Sequence, residues 1–95
     1  MLSLNGHSQV SIGAATPNAS ANLDVTATDI NGNKRGMLVP RVNLLNTTDA
    51  TTINSGNVNS LLVFNEATQG DVTPGFYYWY INKWERIANN SNLAQ

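Results

Sequence analysis

Residues 75–87, GFYYWYINKWERI, contain six of the seven aromatic residues in this 95-residue chain. Aromatic side chains favour strands and bury roughly 150–250 Å² each, so this segment supplies most of the large apolar surface available for packing. It holds no carboxylate pair, no metal-ligand spacing and no nucleophile beside a base. The segment therefore indicates architecture and contact surface first, and a ligand platform only second.

The aromatic segment predicts a β-hairpin in which Trp79 lies opposite Trp84 across a four-residue loop, residues 80–83. This register sorts the large side chains onto two faces, one with Tyr77, Trp79, Trp84 and Arg86, the other with Phe76, Tyr78, Glu85 and Ile87. A three-residue loop with Asn82 in the left-handed region remains an alternative and would mix the two sets. Antiparallel hairpins usually bury one face and expose the other to water. Because both faces are rich in large side chains, we expect one to pack within the protomer and the other against a second chain.

Composition excludes several classes of protein. The net charge of −1 gives no basic field for nucleic acid or anionic lipid, so neither nucleic-acid binding nor membrane insertion is expected. The chain has no cysteine, and no apolar run approaches the ~20 residues of a membrane span. A short chain without disulfides gains stability most readily by oligomerisation. Composition therefore points in the same direction as the two-faced hairpin.

Uncharged polar residues predict the fold class. The chain has fifteen Asn, nine Thr and seven Ser against eleven charged residues, a balance suited to turns and cross-strand pairs. We therefore predict an all-β fold of mainly short antiparallel strands, with a C-terminal β-hairpin and at most one short helix. An intertwined or closely packed homotrimer is the expected assembly.

Shorter segments fit this class. Strands are predicted over residues 10–12, 21–26, 36–42 and 61–64, with an Asn31-Gly32 type I′ turn after the second. Pro40 cannot donate to a ladder, so the third strand should lie at an edge or end there. The one candidate helical turn spans residues 47–53, with an N-cap at residue 46, 47 or 48 and Asp49 near its positive end. The organisation expected is a linker or N-terminal extension over residues 1–9, a single β-rich module over 10–88 and a flexible tail over 89–95.

Candidate chemistry is sparse. His7 is the single histidine, with no cysteine or second histidine to share a metal, and it is interpreted as an exposed linker residue. Residues 29–33, DINGN, superficially resemble a calcium loop, but Lys34 and Pro40 stand where that loop needs Gly and Glu. The carboxylates are scattered, so no catalytic, cofactor-binding or metal-ligating residue is predicted. An enzyme is not expected.

Three interpretations of the aromatic residues remain open. Burial within or between protomers is the first. The second is a platform for stacking sugars, formed by Tyr77, Trp79 and Trp84. Nucleic-acid stacking is the third and would need a basic lining, for which only Lys83 and Arg86 are near.

Four segments occur in an order that matches a known module. They are IG at 12–13 with TPNASANLDV at 16–25, GMLVPRV at 36–42, LVFN at 62–65, and GFYYW at 75–79 with KW at 83–84. Together they cover about residues 10–87 and resemble a recurrent fibre-like or adhesin-like module of Bacteroidota surface proteins and their phages. The resemblance implies a homotrimer. The motif residues of that module are architectural, so no catalytic or receptor-binding position carries over.

The hairpin tip departs from the module that the chain resembles. Tyr80-Ile81-Asn82 replaces an Asn-Gly turn and places two large residues where exposed apolar groups usually mark a contact. The candidate oligomer or ligand contacts are therefore Tyr77, Trp79, Tyr80, Ile81, Asn82, Trp84 and Arg86.

The functional hypothesis is a non-enzymatic structural and adhesive module of a phage tail fibre or related contractile injection machine. It would trimerise, display loops to a cell surface and reside in a virion tail, or be extracellular at a cell surface. Expected partners are copies of itself, neighbouring tail, fibre or baseplate proteins, and a host surface glycan. The alternatives are a segment of an exported Bacteroidota cell-surface adhesin and a small carbohydrate-binding module that uses the C-terminal hairpin.

Overall fold

The computed structural model describes residues 9–13 and 16–88, and within these ranges the chain is all-β. The six strands are β1 (Val10–Ile12), β2 (Leu23–Val25), β3 (Arg41–Val42), β4 (Leu62–Asn65), β5 (Gly75–Tyr80) and β6 (Lys83–Arg86). The predicted all-β class is confirmed. No helix in the described ranges is long and apolar enough to cross a bilayer. His7, the tail over 89–95 and all of the N-terminal extension except Gln9 lie outside the described residues.

The chain divides into two compact units after Met37. The first unit contains a two-stranded sheet in which β1 and β2 run parallel, with Val10 opposite Leu23 and Ile12 opposite Val25. The second contains a four-stranded sheet in the order β3-β4-β5-β6. Whether the two units act as the single module expected over residues 10–88 stays a prediction.

The strand directions differ partly from the prediction of mainly antiparallel pairs. β1 with β2 and β3 with β4 are parallel, whereas β4 with β5 and β5 with β6 are antiparallel. Parallel neighbours need a long crossover, and the segments 13–22 and 43–61 supply one for each parallel pair. Residues 66–74 join β4 to β5, and the turn at Ile81 and Asn82 joins β5 to β6. The first of these connections is nearly as long as segment 13–22, so the length of a connection does not by itself decide the direction of a pair.

The turn after β2 is not the predicted type I′ turn. Type I′ needs positive φ at both central residues, but only Gly32, at 84°, has it. The Asp29 carboxylate instead accepts the N–H groups of Asn31 and Asn33 at 2.9 and 3.0 Å, and the Asp29 carbonyl accepts the N–H of Gly32. The local side-chain acceptor therefore selects a different turn at this position.

The third strand is much shorter than predicted. Only Arg41 and Val42 pair, whereas the prediction covered residues 36–42. β3 lies at the sheet edge, as Pro40 requires, but it begins after that proline rather than ending there. The Pro40 carbonyl still accepts the N–H of Phe64 at 2.8 Å.

The predicted helical turn over residues 47–53 is wrong. This segment forms turns, because Asn46 and Asp49 accept backbone N–H groups within their own loop. Asn46 Oδ1 bonds the N–H of Thr48, while Asp49 Oδ1 bonds those of Thr51 and Thr52. Such side-chain bonds compete with helical pairing. The β-branched residues of the segment lower its helix propensity further.

The core of the second unit lies on one face of its sheet. Strand β5 alternates strictly, since Tyr77 and Trp79 are buried while Phe76, Tyr78 and Tyr80 are exposed. The buried hydrophobic residues are Leu44, Val63, Val72, Tyr77, Trp79 and Trp84, with Val42, Ile53 and Leu61 packed against them. Both the strands and the long crossover before β4 contribute residues to this core.

Asn65 ties the loops to the end of β4. Its side chain is completely buried, and its Oδ1 accepts the N–H groups of Leu44 and Ala67 at 2.9 and 3.2 Å. Its Nδ2 donates to the carbonyls of Ala67 and Thr73 at 2.8 and 3.0 Å. A buried polar group is tolerated when its hydrogen bonds are made, and this amide makes all of them.

Candidate functional site

The C-terminal hairpin has the register that the sequence predicts. Trp79 lies opposite Trp84, and Tyr77 lies opposite Arg86. The loop is shorter than predicted, because Tyr80 pairs with Lys83 and only Ile81 and Asn82 form the turn. The two predicted sets of side chains therefore lie on opposite faces of the hairpin.

The inner face of the hairpin is part of the protomer core. Trp79 and Trp84 are 9 % and 1 % exposed, and their ring centroids lie 5.4 Å apart with the planes at 73°. This edge-to-face arrangement is the favoured one for aromatic pairs. Tyr77 is also buried, and its hydroxyl bonds both the N–H and the carbonyl of Thr73. The sugar platform predicted from Tyr77, Trp79 and Trp84 is therefore wrong for the protomer, since these rings are covered.

Trp84 connects the hairpin to the crossover loop. Its indole Nε1 donates to the Asp49 carbonyl at 2.9 Å, and its backbone N–H donates to the Thr47 carbonyl at 2.7 Å. The second bond satisfies a donor on the outer edge of β6 that would otherwise be open. The loop thus covers part of a sheet edge, which is one way that proteins protect such edges.

The Asp49 side chain organises that loop. Its buried carboxylate accepts the N–H groups of Leu45, Thr51 and Thr52 at 2.9, 2.9 and 3.0 Å, and it also accepts the Thr52 hydroxyl. Burial raises the pKa of the carboxyl, but these donors together outweigh it and hold the pKa well below its usual range. The ionised carboxylate is therefore the form that the fold stabilises.

A second carboxylate holds the same loop from its exposed side. Asp71 accepts the Thr47 N–H at 2.7 Å and the Thr47 hydroxyl at 2.6 Å. The hydroxyl bond and then the backbone bond lower the pKa of Asp71. Thr47 is consequently fixed on both sides, with its N–H on Asp71 and its carbonyl on Trp84.

Arg86 lies across Gly75 at the other end of the hairpin. Its Nη2 donates to the Pro74 carbonyl at 2.7 Å. A Cβ at position 75 would lie 2.7 Å from the guanidinium nitrogens, so glycine is the residue that leaves room for this contact. Arg86 is half-buried and acts here as a cover on the inner face.

The outer face of the sheet is apolar and uncovered. We use this name for Leu62, Phe76, Tyr78, Tyr80 and Ile87, which are 38 %, 47 %, 38 %, 52 % and 46 % exposed. Leu62 lies opposite Tyr78, and Phe76 packs edge-to-face on Phe64 with centroids 5.0 Å apart. Contiguous apolar patches of this kind mark protein interaction sites.

Charged side chains also lie on the outer face. Lys83 and Glu85 point to the same side as Tyr80 and Tyr78, and Lys83 Nζ lies 3.8 Å from Glu85 Oε2. Arg41 of β3 lies opposite Phe64 and so points to the same side, where its Nη1 donates to the Val39 carbonyl at 2.7 Å. The outer face is thus mainly apolar, with one ion pair on β6 and a further cation on β3.

The turn at the hairpin tip is strained. Ile81 is 65 % exposed and has a φ of 62°, a conformation that is a genuine outlier for a β-branched residue. Asn59 Oδ1 accepts the Ile81 N–H at 2.6 Å, and the N–H of Asn82 bonds the Tyr80 carbonyl at 2.7 Å. The neighbouring loop thus holds an apolar residue at a position where glycine is usual.

Comparison with protein families identifies the chain through almost its whole length. The model of the phage tail like trimerisation region matches residues 11–95. The chain belongs to this family. No curated protein and no solved structure matches it.

Membership in this trimerisation family supports a structural, self-associating module of phage-tail type. It is consistent with a non-enzymatic role. The part of the chain that the structure describes contains no group of three or more acidic or histidine side chains that could hold a metal ion.

The seven predicted contact residues divide into two groups. Tyr77, Trp79 and Trp84 are buried and Arg86 is half-buried, whereas the three tip residues, Tyr80, Ile81 and Asn82, are exposed. A role for any of them in contacts between chains stays a prediction. The outer face includes four residues that the prediction did not select, namely Leu62, Phe76, Tyr78 and Ile87. The signal for three of them was present, because the predicted register already placed Phe76, Tyr78 and Ile87 on the face opposite the tryptophans.

We expect the stability of the protein to depend on Asp49 in acid. Because the pKa of Asp49 is lowered on folding, ionisation stabilises the fold above the ordinary carboxyl pKa of about 3.9, and this contribution is lost as the pH falls below it. Thermal unfolding between pH 6 and pH 2 should show a falling Tm below about pH 4. Asp49→Asn should be less stable at pH 7, by about 1.5–3 kcal/mol for its lost charged hydrogen bonds, and should show a shallower acid decline.

The matched control is Glu66→Gln, which removes an exposed carboxylate. It should leave both the Tm at pH 7 and the acid decline close to those of the unchanged protein. The remaining decline in Asp49→Asn is expected to come partly from Asp71. An Asp49→Asn variant with the full acid decline would contradict the assignment.

We also expect Ile81→Gly to stabilise the protein. The left-handed conformation costs about 1–2 kcal/mol for an L-residue, and glycine removes this cost. Glycine also raises the conformational entropy of the unfolded chain, which lowers the stability by about 0.5–1 kcal/mol. The net gain should be about 0.5–1 kcal/mol in urea unfolding at fixed protomer concentration. Ile30→Gly is the control, since Ile30 is exposed in a turn without positive φ and should gain nothing. A loss of stability in Ile81→Gly would show that the Ile81 side chain contributes more than its strain costs.

Proposed function

We propose that three copies of the chain associate through the outer face of the four-stranded sheet, and that the trimer is a rigid structural element of a phage tail fibre or related contractile injection machine. The observation that carries the proposal is the uncovered outer face in a chain that belongs to a trimerisation family. The inner face of the sheet already packs in the core of its own protomer, so the aromatic residues of the outer face are free for contacts between chains.

The energetic case rests on five side chains. Moving the exposed part of Leu62, Phe76, Tyr78, Tyr80 and Ile87 out of water is worth on the order of 1 kcal/mol for each. Three protomers gain this contribution together, and it must offset the loss of translational and rotational freedom on association. A small core limits the stability of the isolated second unit, which makes this gain a large fraction of the total.

A trimer also gives the hairpin tip a function. Three-fold repetition would place three copies of Ile81 on the same particle, and multivalent display raises avidity without any new contact. We propose that the tip and the neighbouring loops face a cell surface, where a host surface glycan or a protein receptor is the target. Neighbouring tail, fibre or baseplate proteins would hold the module in the virion tail.

Solution mass tests the proposed assembly directly. Light scattering should give about three times the protomer mass of 10.2 kDa. The double variant Tyr78→Ser/Ile87→Ser should shift the mass to that of the monomer at micromolar concentration, because it removes two apolar contacts from the outer face. Tryptophan fluorescence should stay unchanged, since both tryptophans lie on the untouched inner face.

Ile30→Ser provides the matched control. It exchanges the same residue types as Ile87→Ser, but Ile30 is 99 % exposed in a turn of the first unit. This variant should keep the trimeric mass. An unchanged protein that is monomeric at high concentration, or a trimer that tolerates Tyr78→Ser/Ile87→Ser, would contradict the proposed interface.

A further inference from the structure

The first unit carries an exposed apolar face. We call Val10, Ile12, Leu23 and Val25 the N-terminal face, and they are 47 %, 56 %, 54 % and 40 % exposed. The parallel register pairs Val10 with Leu23 and Ile12 with Val25, so all four side chains point to the same side. The opposite side carries Ser11 and Asp24, which are less exposed. Burial in this sheet is therefore the reverse of the usual arrangement.

This unit lacks a core of its own. Among the described residues up to Met37, none is buried. A two-stranded sheet is marginal at best in water, and a parallel pair is slightly less stable per residue than an antiparallel one. Its ladder nevertheless forms, with the Val10 N–H on the Asn22 carbonyl at 2.6 Å and the Thr26 N–H on the Ile12 carbonyl at 2.8 Å. Some further surface must cover the N-terminal face for this ladder to persist.

We propose that the N-terminal face packs against the same face of two other copies, so that the first unit forms a second interprotomer layer and is ordered only in the trimer. The proposal rests on the proposed function, because the outer face must first bring three chains together. Effective concentrations within such an assembly reach the millimolar range for short linkers, which favours weak apolar contacts between copies. The family match supports a copy of this chain as the occupant, since it begins at residue 11 and includes Ile12, Leu23 and Val25.

Charge and shape around the face fit a copy of the same chain. The four side chains are aliphatic and carry no charge. The nearby cation, Arg35, is paired with Asp29 at 3.2 Å. The face continues into a shallow groove lined by Leu23, Val25, Ala27, Arg35, Gly36 and Met37. Apart from the paired Arg35, this lining presents nothing to repel an aliphatic side chain from a second copy.

Amide hydrogen exchange at the β1–β2 ladder tests the proposal. At concentrations where light scattering reports a trimer, the Val10 and Thr26 amides should exchange slowly. Ile12→Thr/Val25→Thr keeps β-branched side chains but makes the face polar, and it should speed these amides by roughly tenfold or more while the trimeric mass persists. The Trp79 amide, bonded to the Leu61 carbonyl at 3.0 Å in the other sheet, should stay slow in both proteins.

The control is Ile30→Thr, the same change as Ile12→Thr at a turn residue outside the face. It should leave the exchange of Val10 and Thr26 unaltered. A second measurement needs no variant: dilution of the unchanged protein below the trimer's dissociation range should speed the two amides together with the loss of mass.

The outcomes separate this inference from the proposed function. A trimer whose Val10 and Thr26 amides exchange fast would overturn the N-terminal layer and leave the outer-face interface standing. The N-terminal layer would also be overturned if these amides exchange as slowly in Ile12→Thr/Val25→Thr as in the unchanged protein. A chain that stays monomeric at every concentration would overturn both.

Discussion

The edge-to-face contact between Trp79 and Trp84 is the interaction on which the second unit depends. It fixes which residues of β5 and β6 lie opposite each other, and a shift of one residue would turn every side chain to the other face. The Trp84 indole is held in turn by the carbonyl of Asp49, whose carboxylate orders the crossover loop. Tyr77 and the two tryptophans occupy the inner face, so the side chains that alternate with them, Phe76, Tyr78 and Tyr80, must lie on the outer one.

Uncharged polar residues and short carboxylates explain the rest of the architecture. Asn65, Asp49 and Asn59 each use side-chain oxygens to accept backbone N–H groups in loops that have no regular pairing. The high asparagine content is thus matched by local hydrogen bonding, which lets a chain with short strands satisfy its irregular segments. A trimerisation module gains from this arrangement, because its apolar residues are left for faces rather than for a large internal core.

Much of the fold follows from sequence patterns, and three of the errors share one physical feature. Alternation and the Trp79–Trp84 pairing were sufficient to predict the hairpin and its two faces. Three predictions are wrong at places where a side chain accepts a backbone N–H. Asp29 does so at the predicted type I′ turn of Asn31-Gly32, and Asp49 does so in the predicted helical turn after Asn46. Asn59 does so at the hairpin loop, which is shorter than predicted. Such bonds depend on local geometry that residue type alone does not specify. Among the candidate contacts, Tyr77, Trp79 and Trp84 are buried on the inner face, whereas Phe76 and Tyr78, which the prediction did not include, are exposed on the outer face.

The three tyrosines of the chain report on both faces at once, since Tyr77 lies on the inner face and Tyr78 and Tyr80 lie on the outer one. Fluorine NMR of protein labelled with 3-fluorotyrosine, with the solvent isotope shift as the measure of exposure, therefore tests the central claim in a single sample. At trimer-forming concentration all three signals should be shielded from solvent, and dilution should expose Tyr78 and Tyr80 while Tyr77 stays shielded. Exposure of Tyr78 and Tyr80 in the assembled protein, or of Tyr77 on dilution, would contradict the assignment of one face to the protomer and the other to the trimer.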